Sequence, residues 1–259
     1  MSSRFKVSEA DAQYEKLREY AIVRERELAG MMEPYVGLAD SYGHLIVRLT
    51  TVLGRIKSKD IQDVVIRDLM ADVFDSLYEA RTCLLAGKCT VVYPIARRAY
   101  ESLSLLHLCA LEPDWARKWQ SGKPIWNGEV RRALAAHSMG EPKANTDHLY
   151  DFFCAATHPN RDLVAHRFLG DGNEFVLGVI GQPNLVMIAD CCIKLVDMWF
   201  WLTATVSYFY RSHLEQHDRS YFDAYLCLAA DAQEIKRQLV DDYNQVLAEV
   251  RRERAGAPE

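Results

Sequence analysis

The chain has 259 residues, of which 49% are hydrophobic, 26% charged and 10% aromatic. These proportions are ordinary for a globular protein, and they exclude a collagen-like repeat, a low-complexity chain and a wholly disordered one. Thirty-one basic and thirty-six acidic residues give a formal net charge of -5. Bulk charge therefore would not hold this protein on a nucleic acid, and any contact with polyphosphate must come from a local site.

Compartment can be inferred from the cysteines and the apolar segments. The N-terminus lacks the apolar core of a signal peptide, and the seven cysteines form no CxxC pair, which predicts reduced thiols packed as small hydrophobic side chains. The most apolar stretch, residues 185–210, is interrupted by Asp190, Lys194 and Asp197. Its uncharged remainder is shorter than the roughly 20 residues of a spanning helix. We expect a cytoplasmic protein with no membrane role and a buried or partner-facing helix here.

The first third of the chain predicts three helices. Ser8 fits an N-cap and opens a charged helix to about residue 29, whose Glu/Arg pattern is typical of a solvated arm. Pro34 suits the first turn of a second helix. Asp60 can cap a third helix, which Gly87 ends. The apolar stripe expected on the third helix comprises Val64, Leu69, Val73, Leu77 and Leu84.

The middle of the chain predicts shorter helices with breaks between them. The glycines and prolines of residues 121–146 predict loop around one short helix. The tryptophans at 115, 119 and 126 belong either to a base-stacking surface or, as we expect, to a hydrophobic flap on the bundle. The helices expected in this part of the chain cover residues 91–110, 115–120, 129–138 and 149–156.

The last third departs once from the helical pattern. Residues 167–180 read as a small β-hairpin, because two apolar segments flank a glycine-rich turn. A long apolar helix follows Pro183, and Asp218 can cap a final helix. The sequence thus predicts an all-α fold: one multi-helix bundle over residues 31–259 with a small β-hairpin insert, preceded by the charged helix of residues 1–30.

A dense polar cluster at residues 157–167 carries the main functional candidates. Within it, Arg161-Asp162-x-x-x-His166 resembles the R-polar-x-x-x-H motif of HEPN-domain ribonucleases, an all-helical family. The resemblance implies that Arg161 and His166 cleave RNA together, without a metal ion, in the cleft of a homodimer. From this composition, the strict pattern is expected by chance about 0.08 times per chain. Looser Arg-to-His spacings also occur, and they carry no information.

The chemistry of this cluster is coherent for RNA cleavage. A histidine titrates near neutral pH and can accept the proton of a 2′-hydroxyl, which fits His166. The permanently charged guanidinium of Arg161 can hold the phosphate as it becomes five-coordinate. Asp162, one turn before His166, could orient the imidazole. On an ideal helix Arg161 and His166 lie about 140° apart, so both reach one phosphate only near a helix end or across a dimer.

A second pattern is spread over residues 75–210. Arg98-Ala99-Tyr100-Glu101, followed by His158-Pro159-Asn160, a glycine-rich turn and a long apolar helix, is similar to a family of uncharacterised prokaryotic helical proteins. This resemblance implies fold more than activity. Arg98 and Glu101 could form an anion site together with Arg97, or they could be a buried pair that fixes helix register. If Arg98 faces His158, the two patterns form one binding site that includes Asn160.

Two other interpretations of the polar cluster remain. It could be structural, with His158 as a cap and the arginines on the surface. A metal site of His158, Asp162 and His166, helped by His148 or Asp151, has suitable ligand types. However, helical histidines at this spacing arise freely, and we expect neither a metal nor a cofactor.

The sequence therefore predicts a HEPN-like, metal-independent endoribonuclease of a toxin–antitoxin or phage-defence system. Its expected partners are an RNA substrate, a second copy of the chain, and an antitoxin or defence protein. The alternative is a non-catalytic helical protein that oligomerises or binds a partner through the apolar helix after Pro183.

Overall fold

The computed structural model describes residues 14–155, 157, 168–169, 174–175 and 185–256. A single 3₁₀ turn at Tyr14–Lys16 precedes ten α-helices in this part of the chain, which confirms the all-α fold class. The helices are α1 (Leu17–Met31), α2 (Glu33–Leu53), α3 (Ile61–Leu85), α4 (Cys89–Leu111), α5 (Pro113–Gln120), α6 (Asn127–Ala136), α7 (Lys143–Ala155), α8 (Leu185–Phe209), α9 (Arg211–His217) and α10 (Tyr221–Gly256).

The predicted β-hairpin insert is not established. Two strands of two residues each, β1 (Phe168–Leu169) and β2 (Glu174–Phe175), pair antiparallel with Phe168 opposite Phe175. The remaining residues of the predicted hairpin lie outside the described part of the chain. One pair of two-residue strands does not form a sheet layer, so the described fold is helical. The β-hairpin insert stays a prediction.

The core forms where α3 and α4 pack along their length and α8 lies against α2, α3 and α4. The stripe predicted for α3 is correct at four of its five positions, since Leu69, Val73, Leu77 and Leu84 are buried. Val64 is exposed, because Val65 and Ile66 take the inward positions of that turn and Val64 points about 140° away from Leu69.

The residues predicted to begin and end α3 are confirmed as its caps. Asp60 has an extended backbone, and its carboxylate accepts a hydrogen bond from the backbone N–H of Asp63 at 2.9 Å. After the helix, Gly87 adopts a φ of 77°, which a glycine reaches without steric cost. The N–H of Lys88 then returns to the carbonyl oxygen of Cys83 at 2.9 Å, which closes the helix end.

Asp218 stands just before the last helix, as predicted, and its carboxylate accepts hydrogen bonds from the hydroxyl of Ser220, at 3.1 Å, and from the backbone of that residue. The short helix α9, which the sequence did not predict, ends directly before Asp218. The Asp218 carboxylate accepts hydrogen bonds from Nε and Nη2 of Arg48, at 3.0 and 2.7 Å, and this ion pair ties α2 to the end of α9. The same carboxylate therefore serves both the local contact with Ser220 and a partner 170 residues away.

The N-terminal helix is described from residue 14 onward, so its predicted start at Ser8 lies outside the described residues. Within α1, Arg24 and Leu28 are buried, and the helix lies against α2 and α3. The boundary predicted after residue 30 stays a prediction.

The apolar helix α8 is a core element. Ile188, Leu195, Trp199, Leu202 and Val206 are all buried within the chain, which favours the buried interpretation over the partner-facing one. In the part of the chain that the structure describes, no helix has the combination of length and apolar character that crossing a membrane requires.

Candidate functional site

The polar cluster that carries the nuclease motif falls in the gap between α7 and α8. The predicted site residues outside the described part of the chain are His158, Asn160, Arg161, Asp162 and His166. The proposed pairing of Arg161 with His166 therefore stays a prediction. The described residues do show what flanks this segment on its N-terminal side.

The end of α7 is anchored by aromatic packing. The N–H of Thr157 donates to the carbonyl oxygen of Cys154 at 3.1 Å, which extends the last turn. The Phe152 ring lies 5.5 Å from the ring of Tyr93 on α4, and the Lys194 ammonium of α8 lies 4.0 Å from the Phe152 centroid. The C-terminal end of α7, after which the segment with the motif begins, thus lies beside α4 and α8.

Two arginines line the same aromatic face of α7. The Arg131 guanidinium lies 4.0 Å from the Tyr150 ring centroid, and that of Arg97 lies 5.4 Å from it. Arg97 also donates to the Tyr150 hydroxyl at 3.3 Å. Each arginine has a carboxylate partner: Arg97 binds Glu101 at 3.0 Å, and Arg131 binds Asp147. This face of α7 therefore carries two guanidinium groups, but their carboxylate partners leave it nearly neutral in net charge.

The buried Arg98–Glu101 pair considered from the sequence is wrong. Glu101 accepts its hydrogen bond from Arg97, one turn before it, and this bond raises the pKa of Arg97. Arg98 lies 100° further round the helix, with 70% of its side chain exposed, and it binds Asp72 of α3. Ser102 donates to the same carboxylate at 2.6 Å. Arg98 and Glu101 therefore belong to two separate ion pairs, although both line one cleft with Asp72 and Ser102.

A different cleft is open among the described residues. It has a volume of about 690 Å³ and lies between the C-terminal half of α4, residues 139–149 and α8. Its walls include the rings of Phe200, Trp201 and Tyr208, and its polar groups include Glu141 and Asp197. None of these residues was predicted as a site residue from the sequence, where only Asp197 was named, because they come from distant segments with no local motif.

His107 forms the base of this cleft as a neutral imidazole. Trp201 donates its indole N–H to Nδ1 of His107 at 2.9 Å, so the remaining ring proton is on Nε2. The pKa of His107 is lowered to about 4, mainly by burial and also by the nearby His137, although a hydrogen bond to the backbone of Met139 acts in the opposite direction. The cleft therefore contains no imidazolium charge from His107 at neutral pH.

Metal ligation finds no support in the described residues. No group of three or more His, Cys, Asp or Glu side chains is arranged there to hold a metal ion. His148 and Asp151 are both exposed on α7, and the histidines they were expected to assist lie in the gap before α8.

The tryptophan-rich segment packs as expected of a flap at two of its three tryptophans, whereas Trp126 is 69% exposed, so the prediction is wrong for that residue. Trp115 and Trp119 lie partly buried against the core, and Trp115 donates its indole N–H to Glu112 at 3.2 Å. The Lys118 ammonium is 4.7 Å from the Trp115 ring centroid and is bound to Glu129, so its charge is compensated.

Comparisons with known proteins add no family to this description. No protein-family model matches the chain, and no curated protein and no solved structure matches it.

Proposed function

We propose that the protein is a HEPN-like, metal-independent endoribonuclease in which Arg161 and His166 act on the same phosphodiester. The observation that carries the proposal is the strict motif Arg161-Asp162-x-x-x-His166, which the composition predicts by chance only about 0.08 times per chain. The motif begins six residues after Ala155, the last residue of α7. Arg161 is four residues beyond Thr157, so their Cα atoms are at most about 14 Å apart.

The reaction assigns one role to each side chain. The neutral imidazole of His166 accepts the proton of the ribose 2′-hydroxyl as that oxygen attacks phosphorus. Arg161 binds the non-bridging oxygens and stabilises the extra negative charge of the five-coordinate state. Asp162 orients the imidazole. The bond from phosphorus to the 5′-oxygen breaks, and that oxygen takes up a proton, which leaves a 2′,3′-cyclic phosphate and a 5′-hydroxyl end.

The proposal includes a homodimer and a partner. Because Arg161 and His166 would diverge by about 140° on one continuous helix, a second copy of the chain could supply the missing group at each phosphate. A toxin or phage-defence role follows from the same resemblance, with an antitoxin or defence protein as the partner. The β-hairpin predicted over residues 167–180 would follow the catalytic segment directly.

Variants of the motif test the proposal. We expect the purified protein to cleave mixed RNA in the presence of EDTA, and Arg161→Ala and His166→Ala each to abolish cleavage without loss of helical circular dichroism. The matched control is His217→Ala: Arg211 and His217 have a similar spacing on α9, but Arg211 binds Glu215 at 2.7 Å. Cleavage that persists in either motif variant, or that is lost equally in the His217 variant, contradicts the assignment.

The non-catalytic alternative loses most of its structural basis. It requires a large apolar face on the helix after Pro183, but that helix buries its apolar side chains within the bundle. Among the described residues of α8, the large hydrophobic side chains that remain exposed are Leu185, Phe200 and Tyr208. They do not form one continuous face along the helix, and two of them line the cleft described above.

A further inference from the structure

The cleft that Arg98 and Glu101 line lies between α3, α4 and the segment that carries α5 and α6. Its volume of about 580 Å³ is within the range of about 300–1,000 Å³ that is typical of small-molecule sites. We call it the acidic cleft, because four carboxylates line it together with an apolar surface. The large apolar residues of that surface are Leu69, Leu105, Trp119, Ile125 and Val130.

Carboxylates outnumber cationic groups in the acidic cleft. Three aspartates of α3 and Glu101 of α4 line it, whereas Arg98 is the one lysine or arginine among the described lining residues. Arg98 is bound to Asp72, and Glu101 is bound to Arg97. These two ion pairs compensate two of the four carboxylates. The cleft therefore attracts a cation, since an anion would meet two uncompensated negative charges.

The two uncompensated carboxylates are seven residues apart on α3. Asp68 and Asp75 are exposed, and neither makes an ion pair or a hydrogen bond with a residue that the structure describes. Seven residues differ from two full helical turns by only about 20°, so the two aspartates lie on the same side of α3. The helical rise separates their Cα atoms by about 10.5 Å. A ligand that neutralises both carboxylates therefore needs two positive charges about that far apart.

A buried amide supplies a polar contact that is independent of the carboxylates. Asn127 lines the cleft from the first residue of α6, and both polar atoms of its side chain are buried without a hydrogen-bond partner in the part of the chain that the structure describes. A buried amide without partners is unfavourable, so a ligand that donates a hydrogen bond to its carbonyl oxygen gains affinity. An ammonium group has the N–H donors that this oxygen requires.

We propose that the acidic cleft binds a linear polyamine, with one terminal ammonium group at Asp68 and the other at Asp75. The methylene groups pack on the apolar surface of the cleft, and an inner amino group donates to the Asn127 carbonyl oxygen. The terminal nitrogens of an extended spermidine are nine bonds apart, or about 11 Å, which matches the spacing of the two aspartates. The proposal does not depend on ribonuclease activity.

Calorimetric titration with two trivalent cations tests the proposal. Spermidine is long and flexible, whereas hexaamminecobalt(III) carries the same charge and N–H donors on a compact ion that cannot reach both aspartates. At low ionic strength, where screening is weak, we expect saturable binding of one spermidine per chain. Binding of hexaamminecobalt(III) should be weaker by about tenfold or more, because it loses one carboxylate and the apolar contacts. Absence of saturable spermidine binding, or equal binding of the two cations, overturns the proposal.

Paired variants separate this site from general attraction to an acidic protein. Asp68→Asn combined with Asp75→Asn preserves shape and should weaken spermidine binding about tenfold or more. The matched control is Asp223→Asn combined with Asp231→Asn, which removes two exposed carboxylates from α10, and it should bind spermidine as the wild type does. Unchanged affinity in the first double variant, or an equal loss in the control, contradicts the assignment.

Single variants test the sign of the ligand charge and the role of the amide. Arg98→Gln removes the cation of the cleft and leaves Asp72 available to the ligand, so spermidine binding should become several-fold tighter. The Arg98 side chain is 70% exposed, so its loss should not disturb the fold. Asn127→Ala removes the acceptor oxygen and should weaken spermidine binding several-fold. Weaker binding in Arg98→Gln, or unchanged binding in Asn127→Ala, contradicts the proposal.

Discussion

Tyr210 joins the end of α8 to the start of α3 through a buried carboxylate. Its hydroxyl donates to Asp63 at 2.7 Å, and Arg67 donates to both oxygens of the same carboxylate at 3.1 Å. Tyr210 and Asp63 are 2% and 6% exposed. Tyr210→Phe removes one charge-assisted hydrogen bond and leaves the ring in place. Such a bond contributes about 1.5–3 kcal/mol, so we expect the free energy of unfolding to fall by about 2 kcal/mol.

This loss is measurable by urea titration at neutral pH or by thermal melting. For a chain of this size, about 2 kcal/mol corresponds to a decrease in Tm of about 4–8 °C. Tyr208→Phe is the matched control, because it removes a hydroxyl from an exposed ring two residues earlier on α8. A Tyr210→Phe protein as stable as the Tyr208→Phe protein would refute the role given to this network.

The same variant has a predicted pH dependence. Burial raises the pKa of Asp63, but the hydrogen bonds from Tyr210 and Arg67 and the charge of Arg67 outweigh burial and hold that pKa below its ordinary value of 3.8. A carboxylate with a lowered folded pKa stabilises the protein above its unfolded pKa and stops doing so as the pH falls through the folded value. The stability difference between wild type and Tyr210→Phe should therefore be full at neutral pH and narrow in acid.

Three further predictions concern other parts of the bundle. Asp218→Asn weakens the half-buried ion pair with Arg48 and should lower the free energy of unfolding by about 1 kcal/mol in urea titration; an unchanged midpoint would refute this. Burial lowers the pKa of His107 to about 4, so the wild-type protein should lose stability as the pH falls from about 6.5 toward 4. The variant His107→Gln can still accept the hydrogen bond from Trp201, and its thermal melts should lack this decline. Cys227 is exposed, so it should account for the fastest phase of thiol labelling by dithionitrobenzoate. The variant Cys227→Ser should lack this fast phase, and a fast phase that remains would contradict the exposure of Cys227.

The burial of the individual cysteines could not be predicted from composition. Five of the seven cysteines are buried as small hydrophobic side chains, and burial raises the pKa of Cys109 and Cys192 to about 12. Cys154 is partly buried and Cys227 is exposed. The expectation that every cysteine packs in the interior is therefore wrong for Cys227, because it lies on the outer side of α10.

Features of the fold that depend on neighbouring residues could be predicted from the sequence. The Asp60 cap and the left-handed Gly87 at the ends of α3 require only residues within the same turn. The start of α7 could not be predicted in this way, since it begins at Lys143, six residues before the apolar stretch. Its first turns are held by a tertiary contact, in which the buried Tyr100 hydroxyl donates to the carbonyl oxygen of Thr146 at 2.8 Å.

The candidate sites also differ in whether they depend on neighbouring residues or on tertiary contacts. The Arg161–His166 motif is local, so the sequence alone can propose it. The cleft brings together His107, Glu141 and Trp201 from three separate segments. A single sequence gives no distance between such segments, and only packing of α8 against α4 reveals that they share one cavity.

The chemistry of the RNA ends tests the central claim most directly. A short RNA incubated with the purified protein in EDTA should yield a 2′,3′-cyclic phosphate and a 5′-hydroxyl, and a 2′-deoxy substitution at the cleaved nucleotide should block the reaction. Both ends can be identified by mass spectrometry of the products. No cleavage of any RNA, products with a 5′-phosphate, or undiminished cleavage of the 2′-deoxy substrate would contradict the roles proposed for His166 and Arg161.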